Sequence, residues 1–339
     1  MIVGVILLSF FISMIISQTS SSEQKISAGI VRHFDTILTS TNQKPGTVKE
    51  YTVPQVDVNF YCNTTQELYY YDVSDVKVKD TQYDLIFSPR NINSRKLYTW
   101  TLDWKVPYRV ATFMYLASKE NAFIFWNEPL TNPNSQLVDN FADNITTMFM
   151  NGSVWPKPSL NYDSYTYVFI KDEGPADRTN IISEKSNIIV IDPENAQNIF
   201  EEGTVYYCDR NNYDGNTEDG TDCAETKYFG MASLYGAIFA DKDLYECTMN
   251  KAYHRLQILT KLQWYRTNRS IDLVSDSCGR KLDSIVAAQP GAKQLLVDLN
   301  NTVVSGFVPV NVGGLVQQIK RIDRKNNQLA LEAYCPTIY

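Results

Sequence analysis

Histidine is almost missing from this sequence: 339 residues contain two, His33 and His254. A multi-histidine metal centre is thereby excluded, and a histidine general base would have to be one of this pair. His33 falls at the rim of one helical pattern and His254 inside another, where a structural or surface role is the ordinary one. Clusters of lysine and arginine are missing too. With a formal charge of -7, the chain lacks the basic face that nucleic acid or an anionic membrane requires. There is no HExxH, no GxSxG, no Walker A loop, no dinucleotide-binding GxGxxG and no zinc-like cysteine spacing, so no cofactor follows from the sequence.

Apolar runs of membrane-spanning length are also absent. Ile2 to Ile16 is almost unbroken but holds about fifteen residues, short of the roughly twenty needed to cross a bilayer. No charged side chain appears before Glu23. This is the pattern of a secretory leader, expected to be cleaved after Ser17, which leaves a soluble chain with no later span and an extracellular or lumenal location.

The six cysteines, all beyond the leader, are an even number in an oxidising compartment, which predicts three disulfides and leaves no thiol for catalysis. Cys208 and Cys223 bracket the hydrophilic segment DRNNYDGNTEDGTD, which gains most from closure. A helix from about Asp243 to Arg266, followed by an extended return, makes Cys247 with Cys278 feasible and leaves Cys62 with Cys335. Acceptor sequences for N-glycosylation occur at Asn63, Asn144, Asn151, Asn268 and Asn300.

The patterning predicts an α+β protein, and a β-rich region over 18–130 follows the leader 1–17. In it, a capping box at Ser20 and Glu23 opens an amphipathic helix over 22–39, and alternation then marks strands around Val56 to Cys62 and Tyr98 to Val106. In the second strand, Thr99 and Thr101 fall on the polar face. Residues 131–241 read as α/β: strand AFIFW leads into a helix carrying Leu137, Phe141, Ile145 and Met148, and strands YTYVFI, NIIVI and TVYYC follow. Over 242–339 a long helix with low exposure precedes antiparallel strands, including a hairpin of VQQIKRI and QLALEAY about the polar turn Asp323 to Asn327, packed back on the N-terminal region.

Three groups of residues carry possible chemistry. Phe125-Trp126-Asn127-Glu128-Pro129 follows an apolar strand and resembles the Asn-Glu-Pro that ends a barrel strand in one large clan of retaining glycoside hydrolases. The resemblance implies Glu128 as acid/base with a second carboxylate about 5 Å away. It covers five residues, and the preceding hundred read as strands without the intervening helices of a (β/α)₈ barrel. Secondly, four middle-region strands are followed by acids: Glu128; Asp172 and Glu173; Asp192 and Glu194; Asp209. In a parallel sheet these gather at the carboxyl edge, where substrates and divalent cations bind. A mixed sheet seldom keeps four successive strands parallel, so scattering is the expectation. Thirdly, Asp214, Asn216, Glu218 and Asp219 are spaced like ligands of a hard cation, although the glycine and glutamate of an EF-hand are out of place. The inventory as a whole points to a secreted glycoprotein that recognises a protein or carbohydrate, with a carboxylate-dependent hydrolase using Glu128, Asp172 and Asp192 as the alternative.

Overall fold

In the computed structural model the described residues are 46–63, 68–73, 76–79, 85–126, 137–142, 144–150, 162–171, 186–195, 197–208, 223–284, 290–303, 312–331 and 335–339. The expected leader, the expected helix over 22–39, Glu128, Asp172, Glu173, Asp209 and the residues 214–219 lie outside them.

The β-rich part forms one six-stranded sheet from β1 (Val48–Asn63), β2 (Leu68–Val73), β3 (Val76–Lys79), β4 (Ile86–Phe87), β5 (Asn91–Lys105) and β6 (Arg109–Ser118), in the order β3-β2-β1-β5-β6-β4. Neighbours are antiparallel except β4 beside β6. The polar-out expectation for Thr99 and Thr101 is corrected, since both are buried along with Tyr98 and Trp100. Both faces of this stretch of β5 are covered.

After Ser118 a two-residue turn carries the chain into a second sheet. Its strands are β7 (Asn121–Trp126), β8 (Thr147–Met150), β9 (Ser164–Ile170), β10 (Ser186–Pro193), β11 (Glu202–Cys208) and β12 (Cys223–Phe229), in the order β12-β11-β10-β9-β7-β8. The apolar runs of β7, β9 and β10 are unbroken because both faces are buried. Phe123, Phe125, Val168, Ile170, Ile189 and Ile191 face the main core, while Ala122, Ile124, Tyr165, Tyr167, Phe169, Ile188 and Val190 form a second cluster behind it. The expected helix after AFIFW is corrected for the described residues of this stretch. Among the described residues there, only 137–139 is helical, and Met148 lies in β8, where β-branched, aromatic and apolar residues follow one another.

Among the described residues five longer helices follow the sheets: α1 (Gly230–Phe239), α2 (Lys242–Ile271), α3 (Asp276–Asp283), α4 (Ala292–Val303) and α5 (Val312–Ala330). The C-terminal antiparallel strands are therefore corrected to helices. Leu315, Ile319, Ile322 and Leu329 recur at helical spacing and all are buried, so the polar run Asp323 to Asn327 is helix surface and not a turn. The low exposure expected of the long helix holds for its first half only. Leu244, Tyr245, Met249, Ala252 and Leu256 are buried, but Ile258 and Tyr265 are 65% and 66% exposed.

The core joins both sheets to α1. Trp100 and Tyr115 of the first sheet, Phe123 of the second, Phe141 between strands, and Tyr235 and Phe239 of α1 pack with neighbouring centroids 4.8 to 6.2 Å apart, among them Trp100–Tyr235 edge-on at 4.9 Å and Phe123–Phe239 tilted at 4.8 Å. Hydroxyls at the edge of this cluster are satisfied by backbone: Tyr115 donates to Ala232 O at 2.6 Å and Tyr235 to Leu137 O at 2.8 Å.

All six cysteines are bonded, as Cys208–Cys223, Cys62–Cys247 and Cys278–Cys335. Two of the expected pairings, Cys247 with Cys278 and Cys62 with Cys335, are corrected. The extended return does not exist: α2 runs on to Ile271 and Cys278 sits in α3, about 36 Å of helix away from Cys247. Cys247 instead meets the end of β1, and Cys278 meets the tail that follows α5. Among the described residues no helix is long and apolar enough to cross a membrane.

Candidate functional site

Two places on the second sheet concentrate polar groups. At its carboxyl edge, β7, β8, β9 and β10 run parallel, and only β11 and β12 are antiparallel to their neighbours. Of the four strands followed by acids, β7, β9 and β10 are parallel and β11 is antiparallel. The chain goes from β7 to β8 on one side and then back to β9 on the other, so the direction of winding reverses between β7 and β9. In open parallel sheets such a reversal leaves a crevice outside the strand ends. Glu128 and Asp172 each follow, by two residues in sequence, the ends of β7 and β9, but both lie outside the described residues. Asp209 follows β11, which runs the other way and so ends at the opposite edge.

Asp192 and Glu194 are the described acids of this set. Register places Lys171 beside Asp192 on β10, Thr204 next on β11 and Lys227 next on β12. Lys171 Nζ meets Asp192 Oδ2 at 3.0 Å, and Lys227 Nζ donates to Thr204 Oγ1 at 2.5 Å. Asp192 is thus already compensated by a cation. Burial, followed by the charge of Asp192, raises the pKa of the neighbouring Tyr206 hydroxyl. Glu194 and Glu202 stand at the same edge, joined by Glu194 N donating to Glu202 O at 3.1 Å. Burial, and then repulsion from Glu194, raises the carboxyl pKa of Glu202. No group of three or more His, Cys, Asp or Glu among the described residues is arranged to hold a metal ion.

At the other edge lies a groove of about 420 Å³, walled by Pro89 and Arg90, by Thr166, Asn187, Tyr207 and Ala224, and by the corner between α1 and α2. One carboxylate organises its mouth. Asp241 caps α2, Oδ1 accepting from Leu244 N at 3.0 Å, while Oδ2 receives Arg90 Nε at 2.7 Å. Asp243 adds a second carboxylate to Arg90 at 3.4 Å. The hydrogen bond to Asp241 is the chief cause of the raised Arg90 pKa, against the lowering effect of burial. Tyr207 donates to Ala237 O at 3.0 Å, and burial drives its hydroxyl pKa far upward. The Cys208–Cys223 bridge stiffens the rim.

Sequence reasoning did not reach this groove. Asp241 was visible as an acid before a helix, but no pattern links Arg90 to a residue 151 positions later. His254 stands exposed on α2. Of the glycosylation acceptors, Asn144 is exposed, Asn268 and Asn300 lie within α2 and α4, and Asn151 and the side chain of Asn63 are outside what is described.

No protein-family model, no curated protein and no solved structure matches the chain. The geometry of the two edges therefore carries the functional reading.

Proposed function

We propose that this chain is an exported glycoprotein acting by recognition outside the cell, and that the Arg90–Asp241 groove is its contact surface. The carrying observation is the construction of the groove: β4–β5, the second sheet and the α1–α2 corner each supply a wall, and Arg90, Asp241 and Asp243 fix opposite charges at its mouth. A cleft held by three elements and a disulfide is preorganised, and its charged entrance suits a polar protein segment or a carbohydrate. Three disulfides accord with an oxidising compartment. The test is a panel of extracellular proteins and glycans probed with the intact chain and with Ala224→Trp. Ala224 is exposed and lines the groove, so the indole fills it with little cost to folding. Binding that falls at least about tenfold, or about 1.4 kcal/mol, at unchanged melting temperature is expected. Equal binding by both proteins, or none by either, counts against the reading.

A second reading, a carboxylate-dependent hydrolase using Glu128, Asp172 and Asp192, draws on one observation: β7, β9 and β10 are adjacent and parallel. Fluorogenic glycosides and phosphoesters, assayed with and without Mg²⁺ or Ca²⁺, test it. Turnover that disappears in Glu128→Gln without loss of stability supports a hydrolase, and a silent panel sets it aside.

A further inference from the structure

We infer that Asn144 carries an N-linked glycan and that Asn300 does not, an inference resting on the export proposed above. Asn144-Ile145-Thr146 is a complete acceptor sequence. Ile145 N donates to Ala142 O at 3.1 Å, which brings the chain on either side of Asn144 together just before β8. Ala142 and Ile145 are 5% and 2% exposed, whereas Asn144 is exposed. The chain is rooted in the core on both sides and lifts this one amide into solvent. A branched oligosaccharide needs such a position, because its bulk and hydroxyls must remain in water.

Asn300 offers the opposite environment. It lies within α4, half-buried, with its side-chain Oδ1 enclosed and unpartnered, and the Thr302 hydroxyl of the same acceptor sequence donates to Asp298 O at 2.8 Å. Oδ1 and Nδ2 belong to one planar amide. Half-buried within a helix and with Oδ1 enclosed, Asn300 lacks the open surface loop on which an acceptor asparagine presents its amide. Asn144 also precedes β8, the outermost strand of its sheet, whose far side pairs with no described strand. A glycan there shields an edge that otherwise invites pairing with a second chain.

Transfer joins Asn144 Nδ2 to the anomeric carbon of a lipid-pyrophosphate oligosaccharide supplied by the secretory machinery. The C–O bond to pyrophosphate breaks, the pyrophosphate leaves with the electron pair, and one amide proton is lost to a base. The experiment expresses the full chain in animal cells behind its own leader and, in parallel, behind a foreign secretory leader. Glycans are removed by peptide N-glycosidase in heavy-oxygen water, which turns each occupied asparagine into a heavy aspartate. Heavy aspartate at 144 and ordinary asparagine at 300 are expected in secreted protein, and Thr146→Ala should lose the mass of one glycan. Ordinary asparagine at 144, or heavy aspartate at 300, in the secreted protein overturns the inference. If only the foreign leader yields secreted protein and position 144 is heavy, the glycan stands and export by the native leader falls.

Discussion

Asp241 serves two partners through two oxygens, and the two uses separate by substitution. Asp241→Ala removes both the cap on α2 and the acceptor for Arg90, with an expected loss of about 1 kcal/mol from the cap. Asp241→Asn keeps a capping oxygen and gives up only a partly exposed ion pair, worth well under about 1 kcal/mol. Urea titrations at low and high salt check this: the asparagine variant should differ from the parent mainly at low salt, the alanine variant at both. Glu202 is a pH-dependent case. Burial and Glu194 raise its carboxyl pKa in the fold, so the folded chain holds this proton more tightly than the unfolded chain. Stability from this group is therefore complete below the unfolded pKa and lost as pH rises through the folded one. Glu202→Gln should raise the melting temperature at pH near 7 and leave it unchanged well below the ordinary carboxylate range. An equal gain at both pH values would refute that cause.

Periodicity made some elements readable and misled on others, for physical reasons. β7, β9 and β10 were legible as short apolar runs bounded by polar segments, and α2 as a long helical pattern. The C-terminal helices were misread because QLALEAY sets Leu329 and Leu331 two apart, as in a strand, and the polar run Asp323 to Asn327 reads as a turn, whereas Val316, Ile319 and Ile322 recur every third residue and burial of Leu315, Ile319, Ile322 and Leu329 decides for the helix. The groove was illegible because its mouth joins a turn before β5 to the cap of α2. Contacts between elements are equally invisible at Gly236 of α1, where an added Cβ would stand 2.7 Å from the Phe87 ring of β4. Phe87 is itself fully buried against Phe113, Tyr115 and Tyr245, so it cannot swing aside. Gly236→Ala should cost about 1–3 kcal/mol through overpacking, although alanine is the better helix former. Denaturant unfolding of that variant, with Ala237→Gly as a propensity control, separates the two effects.

At the scale of the molecule, the main core draws on residues from Val53 to Ile338 and takes in part of both sheets and of α1 to α5. The disulfides tie that core at very different chain distances. Cys208–Cys223 closes 15 residues between adjacent strands, Cys278–Cys335 closes 57 between α3 and the tail, and Cys62–Cys247 spans 185 from the first sheet to α2. If bridges act by restricting the unfolded chain, the shortest loop contributes about 3 kcal/mol and the longest about 5 kcal/mol. Loop length also decides what each bridge holds. Without Cys208–Cys223, β11 and β12 remain paired over seven residue pairs, whereas Cys62–Cys247 is the sole covalent link between the first sheet and the helical half other than the chain itself. Paired serine substitutions should therefore lower the denaturation midpoint most at Cys62 and Cys247, less at Cys278 and Cys335, and least at Cys208 and Cys223. Non-reducing unfolding of the three variants measures the order. A larger loss at Cys208 and Cys223 would mean that the bridge at the groove rim stabilises the folded sheet directly, and that the chain-entropy account fails for this protein.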